Sequence, residues 1–263
     1  AGQTCNATQD CHIIAIYLHD FNMDGSIPPS IGNLSNLEEL TFWDNRMVGT
    51  IPPEVGKLSG SLTLLDVDTN YIEGTIPEEL YQLTKLESLY FSENSVSGTL
   101  SEAISELSRL KYLMLFDQQL SGTLPASISA LSDLQYATFN NNKFTGSLPS
   151  SVGELNDIKL FACSGNSLNG SIPIELSRMT NMLYLALGIN HFTGSIPPQL
   201  GNLQKLVYLG LHFNSLTSAI PSELETLTNM RNMWLHANLL TGPLPTEGES
   251  LELLETFFLH DNL

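Results

Sequence analysis

Apolar residues recur along this chain in a unit of 24 residues, with one interval of 25. One complete unit runs through Leu134, Ala137, Phe139, Phe144, Leu148, Val152 and Leu155. The spacing changes inside the unit. Around Ala137 and Phe139 apolar and polar positions alternate, which predicts a short strand with one buried face. A turn follows, then an extended Gly-x-Leu-Pro piece, then an apolar return through Val152 and Leu155. The stretch after Pro149 is too short for an α-helix with connections at both ends and predicts a turn of 3-10 helix. So small a coil cannot bury its apolar side alone. Coils therefore stack, and their strands form a parallel sheet along one face.

Three fixed columns ride on this period. A Gly stands at Gly25, Gly49, Gly74, Gly98, Gly122, Gly146, Gly170, Gly194 and Gly242, with Ser218 in the remaining slot. Four residues earlier stands an Asn: Asn45, Asn70, Asn94, Asn142, Asn166, Asn190, Asn214, Asn238 and Asn262, interrupted by Phe21 and Gln118. Each coil turns sharply after its strand, leaving inward backbone groups without sheet partners. Buried backbone groups must be paired, and a carboxamide offers two donors and an acceptor on a short stem. The Asn column is thus expected to satisfy the turns of its own and neighbouring coils, with an irregular first coil at Phe21. A Pro three residues after most of the glycines suits an extended exit from the turn; Ser101 is the exception.

The pattern L-x-x-L-x-L-x-x-N-x-L-x-G-x-I-P-x-x-L-G-x-L resembles the plant-type leucine-rich repeat of receptor-like kinase ectodomains, receptor-like proteins and polygalacturonase-inhibiting proteins. It covers about ten coils plus a partial last one, close to the whole chain. The expected fold is an α/β solenoid: a right-handed leucine-rich-repeat superhelix with a parallel β-sheet on the concave face and 3-10 turns on the convex side. Residues 1–12 are expected to form an N-terminal cap and residues 13–263 the solenoid.

Composition restricts the partners. The net charge is −18 with only ten Lys and Arg, which argues against nucleic acid and anionic membranes and permits basic partners. No apolar run approaches the ~20 residues that span a bilayer. Cys5 and Cys11 sit where the solenoid's first coil needs covering. Plant-type ectodomains open with a Cys-containing cap, so the resemblance implies a Cys5–Cys11 bridge, although the family's Trp between them is absent; free thiols are the other reading. Cys163 occupies an inward slot and reads as a small apolar residue. Sequons at Asn6, Asn33 and Asn169, all outside the predicted strands, are candidate glycosylation sites. With the bridge they place the chain in the secretory pathway, outside the cell or on its surface. Leu263 falls mid-coil, which leaves that end as a possible assembly surface.

Strand residues alternate inward and outward, so the outward columns are candidate contact positions. The N-terminal half carries Trp43, Asp44, Asp66, Asp68, Tyr90, Glu93, Phe116 and Asp117; the C-terminal half carries Tyr184, Tyr208, His212, Phe213, Trp234, His236, Phe258 and His260. Outward positions vary freely in such a scaffold, and an acidic protein shows acids there in any case. Exposed Trp and Phe, however, mark contact sites. The His column invites a metal reading, but side chains on a flat sheet should diverge and no carboxylate intervenes, so no metal or cofactor is expected; a pH response fits better. Beside the glycines runs a hydroxyl column from Thr50 to Ser195, matching ice or polysaccharide or simply facing water. No nucleophile–base set is placed by a motif, and the carboxylates are expected on open surface, so no enzymatic activity is assigned. The expected function is an extracellular recognition module that binds a peptide or protein on its concave face, with basic partners permitted by the charge. A subunit of a larger assembly and, for want of paired cysteines at both ends, less strongly an inhibitor of a cell-wall hydrolase are the alternatives.

Overall fold

A computed structural model describes residues 2–5, 11–243 and 251–263. Each coil contributes one strand to a front sheet, one to a flank sheet and one 3-10 turn between them. The front sheet has twelve strands in chain order. It opens with an antiparallel pair, Gly2–Cys5 against Cys11–Tyr17. Ten parallel strands follow, from Glu39–Thr41 to Thr256–Phe258. Their register advances by one repeat without slippage: Leu65 pairs with Leu89, Leu89 with Leu113, and Leu113 with Ala137. Nine 3-10 turns are present among the described residues. Eight enter from a Pro in extended conformation, such as Pro77 (φ −69°) and Pro173 (φ −64°), and the ninth from Ser101.

The flank sheet was not anticipated. Ten parallel strands, from Asp24–Gly25 to Leu239–Leu240, run alongside the front sheet. Asn169 lies inside one of them, Ser167–Ser171, rather than outside all strands as expected. The column glycines hold positive φ there. At Gly74 (φ +81°) an added Cβ would also meet the Thr50 methyl at 2.7 Å.

The core lies between these layers and is continuous from Ile27 to Leu240. Phe139 packs edge-on to Phe144 at 6.0 Å and against Phe161 at 6.1 Å between ring centroids. Cys163 is fully buried, and burial pushes its thiol up.

The Asn column forms the expected ladder. Asn70 Nδ2 donates to the carbonyls of Val67 and Asp68 in its own coil and of Phe42 in the coil before. Its Oδ1 accepts the Met47 N–H at 2.9 Å. Asn45, Asn94, Asn142, Asn166, Asn190, Asn214, Asn238 and Asn262 repeat this arrangement. At the end without an Asn, the first coil is irregular: Asp20 and Asn22 both take positive φ, and Phe21 is 64% exposed.

Candidate functional site

The front face is positioned by the corner after each strand. The residue before each ladder amide, Asn or Gln118, sits in left-handed conformation: Asp44 (φ 56°), Glu93 (φ 53°), Asp117 (φ 54°), Ile189 (φ 53°) and Phe213 (φ 50°) among them. Asp and Asn tolerate that geometry; a β-branched residue is strained by it. Ile189 and Phe213 are also about half exposed.

The N-terminal half gathers aromatics and acids. His19 stacks on Trp43 at 4.7 Å with planes 7° apart. Tyr90, Tyr112 and Tyr136 form a row at 6.3 and 5.2 Å. Two carboxylates are not on open surface, contrary to expectation. Asp66 and Asp68 lie partly buried between neighbouring coils; Asp66 accepts the Asp68 N–H at 3.1 Å, and Asp68 accepts the Ser92 N–H. Burial raises both, and Asp68, with Asp66 and Glu93 also acting on it, reaches about 7. Burial raises Tyr90 as well. The ion pairs among the described residues, Lys111–Glu87, Arg231–Glu255 and His260–Asp261, leave Asp44, Asp68, Glu93 and Asp117 without a cationic partner.

The C-terminal half is a connected aromatic surface. Tyr184 meets Tyr208 at 6.2 Å, Tyr208 meets Trp234 edge-on at 5.2 Å, and Trp234 meets Phe258 at 5.8 Å. The imidazoles do not diverge. His212 stacks on His236 at 5.0 Å, and His236 on His260 at 4.5 Å. His212 is only 9% exposed and so is not an open contact residue. Rings of Phe213, Trp234 and His236 close around it. Burial pushes His212 and His236 down, and each neighbouring imidazole adds to the effect. Trp43, Tyr184, Phe213 and Phe258 are exposed, whereas Tyr90, Phe116, Tyr208, Trp234 and His236 are half-buried.

Other expected features fall as follows. Cys5 and Cys11 are direct partners in the antiparallel backbone register. Asn6 lies outside the described residues, while Asn33 and Asn169 are exposed. Among the described residues, no group of three or more His, Cys, Asp or Glu side chains is arranged to hold a metal ion, and no helix is long and apolar enough to cross a membrane. In the last coil Phe257 is 37% exposed, although its equivalent Met233 is 2% exposed.

A stack of in-register coils with an amide ladder defines a leucine-rich-repeat solenoid, and the Leucine Rich Repeat family model matches residues 36–58, 61–83 and 85–107. The chain is a leucine-rich-repeat protein of the plant type. A TDR receptor structure is 32% identical over 95% of this chain and 47% of its own, with a TM-score of 0.86. The plant peptide hormone receptor RGFR1, in complex with RGF2, is 29% identical over 92% and 46%, with a TM-score of 0.71. A plant ice-binding protein is 25% identical over 99% and 87%, with a TM-score of 0.79. The chain thus spans about half the length of the two receptors. No curated protein sequence matches it significantly.

Proposed function

We propose that this solenoid is a non-catalytic extracellular recognition module whose front face captures a peptide or protein. The observation that carries the reading is the distribution of that face: Trp43 stands exposed beside carboxylates of the N-terminal coils that lack cationic partners, and Tyr184, Phe213 and Phe258 are exposed along the C-terminal coils. Aromatic anchors supply contact area, and the unpaired acids favour a basic segment in the partner. The likeness to a peptide hormone receptor in its complex supports the same reading. The test is capture from the native source by immobilised protein, with Trp43→Ala, Phe116→Ala and Trp234→Ala combined. Loss of a specific partner in the folded triple variant is the expected result, and unchanged capture refutes the surface.

A second reading rests on the flank sheet. Thr50, Thr75, Thr99, Thr123, Ser147, Ser171 and Ser195 are all exposed along it, and an ice-binding protein shares the fold over nearly its whole length. A glycan on Asn169 would stand within that sheet and obstruct a flat lattice. Thermal hysteresis of the protein with and without its glycans separates the two readings.

A further inference from the structure

The imidazole row begins where the chain clears room for it. Gly188 holds the same column position one coil before His212, and a Cβ there would lie 2.5 Å from His212 Cε1. The ring therefore lies against bare backbone, and His236 and His260 continue the stack with planes 14° and 18° apart. Phe213, Trp234 and Phe258 pack edge-on or tilted against its sides. The result is a row of parallel rings in an aromatic frame.

The buried edges decide how the rings are protonated. Nδ1 of His212 and Nδ1 of His236 are both buried without a hydrogen-bond partner. An orphaned buried N–H is less tolerable than an unused lone pair. In the neutral rings of His212 and His236 the proton accordingly sits on Nε2. His212 and His236 thus each keep one N–H donor. Acceptors are scarce around the stack. In the coils around it the front positions Ala162, Ser164, Ala186, Gly188, Gly210, Trp234 and Ala237 hold no carboxylate ahead of Asp261, although the chain as a whole bears a net −18. The charged group beside the stack is Asp261, 4.0 Å from His260 Nε2; the other titratable neighbour on this face is Tyr208, across Trp234.

We infer that the imidazole stack is a docking site for an oxyanion of the partner, a carboxylate or sulfate, which meets the more open rings of His236 and His260, with the enclosed His212 behind them, and which the stack takes up together with a proton. This rests on the front-face reading above and adds polarity to it. A bound partner lies with basic groups over the coils of Asp44 to Asp117 and an anionic group over the imidazoles. Without an anion the neutral form is favoured at His212 and His236, where a charge is opposed by burial and by the neighbouring imidazole. With an anion the charge is compensated, so anion affinity rises as pH falls.

Proton NMR titration of the six histidines tests this without any partner, in chloride, sulfate and acetate at equal ionic strength. The midpoints of the stack histidines should rise by about one pH unit in sulfate or acetate, a tenfold gain in proton affinity. Those of His12, His19 and His191 should not move. His236→Gln should abolish the shift at His212 and His260 while the amide spectrum stays folded; His260→Gln serves if that variant unfolds. Identical midpoints in all three salts, or an equal shift of all six histidines, overturn the inference. Sulfate and acetate together separate general oxyanion binding from carboxylate binding. A failed titration leaves partner capture standing, and failed capture leaves the titration standing.

Discussion

The backbone N–H of Ser101 donates to the hydroxyl of Tyr81, one coil earlier, at 3.3 Å. Ser101 is the position where the Pro column lapses, so this coil has a donor that the others lack. Tyr81 is buried and its phenol is pushed up to about 12, chiefly by burial. A missing proline and an inward tyrosine are therefore two halves of one adjustment.

Tyr81→Phe should cost roughly 1 kcal/mol, since it strands a buried donor. Ser101 already has φ −72°, so Ser101→Pro removes the donor without bending the chain. In that background Tyr81→Phe should become close to neutral. A double-mutant cycle by urea denaturation measures the coupling; strict additivity contradicts the pairing.

Asn166 accepts the Phe144 N–H at 3.0 Å and donates to three carbonyls in two coils. Asn166→Ala leaves these groups unpaired in the core. A loss of about 3 kcal/mol is expected, read as a lower denaturation midpoint.

Ile189 combines φ 53° with a half-exposed side chain. Replacing it with Asn, which tolerates that region, should stabilise the fold by about 1 kcal/mol. If Ile189 also touches the partner, capture weakens in the same variant. A melting temperature that falls would count against the strain.

Asp68 sets a pH dependence. Its carboxyl titrates near 3.8 unfolded and about 7 folded, raised first by burial and then by Asp66. The unfolded chain releases this proton first as pH rises. The contribution to stability is therefore complete below 3.8 and is lost between there and about 7. Asp68→Asn retains an acceptor for Ser92 and abolishes that loss. The variant should be more stable than the parent at pH 8, by roughly 1–3 kcal/mol, and equal to it below pH 4. Parallel curves across this range would refute the assignment.

Cys5 and Cys11 are paired in register, and cross-strand neighbours have Cα atoms near enough for a disulfide. Under denaturing, non-reducing conditions one thiol, Cys163, should react. Three reactive thiols would disprove the bridge.

The solenoid and its amide ladder were legible because both are periodic: a single Asn is ambiguous, but a column of them at one interval is not. The flank sheet escaped because its strands bury at most one residue each. In Tyr71–Thr75 only Ile72 points inward, too little for an alternation signal. The left-handed corner was visible in Asp44 and Asn141 but disguised by Ile189, Phe213 and Ala237. Burial of Asp68 and His212 depends on what the adjoining coils place next to them. Gly188 was readable as a glycine, not as the clearing that lets an imidazole lie down.

Gln118 holds the ladder position between the acidic coils and the aromatic ones. It reaches one carbonyl, Phe91, and one amide, Val96, where Asn142 reaches three carbonyls. Among the ladder amides Gln118 makes the fewest bonds. Under force or mild denaturant the rod should part at this seam, so the two halves of a bipolar grip would let go one after the other.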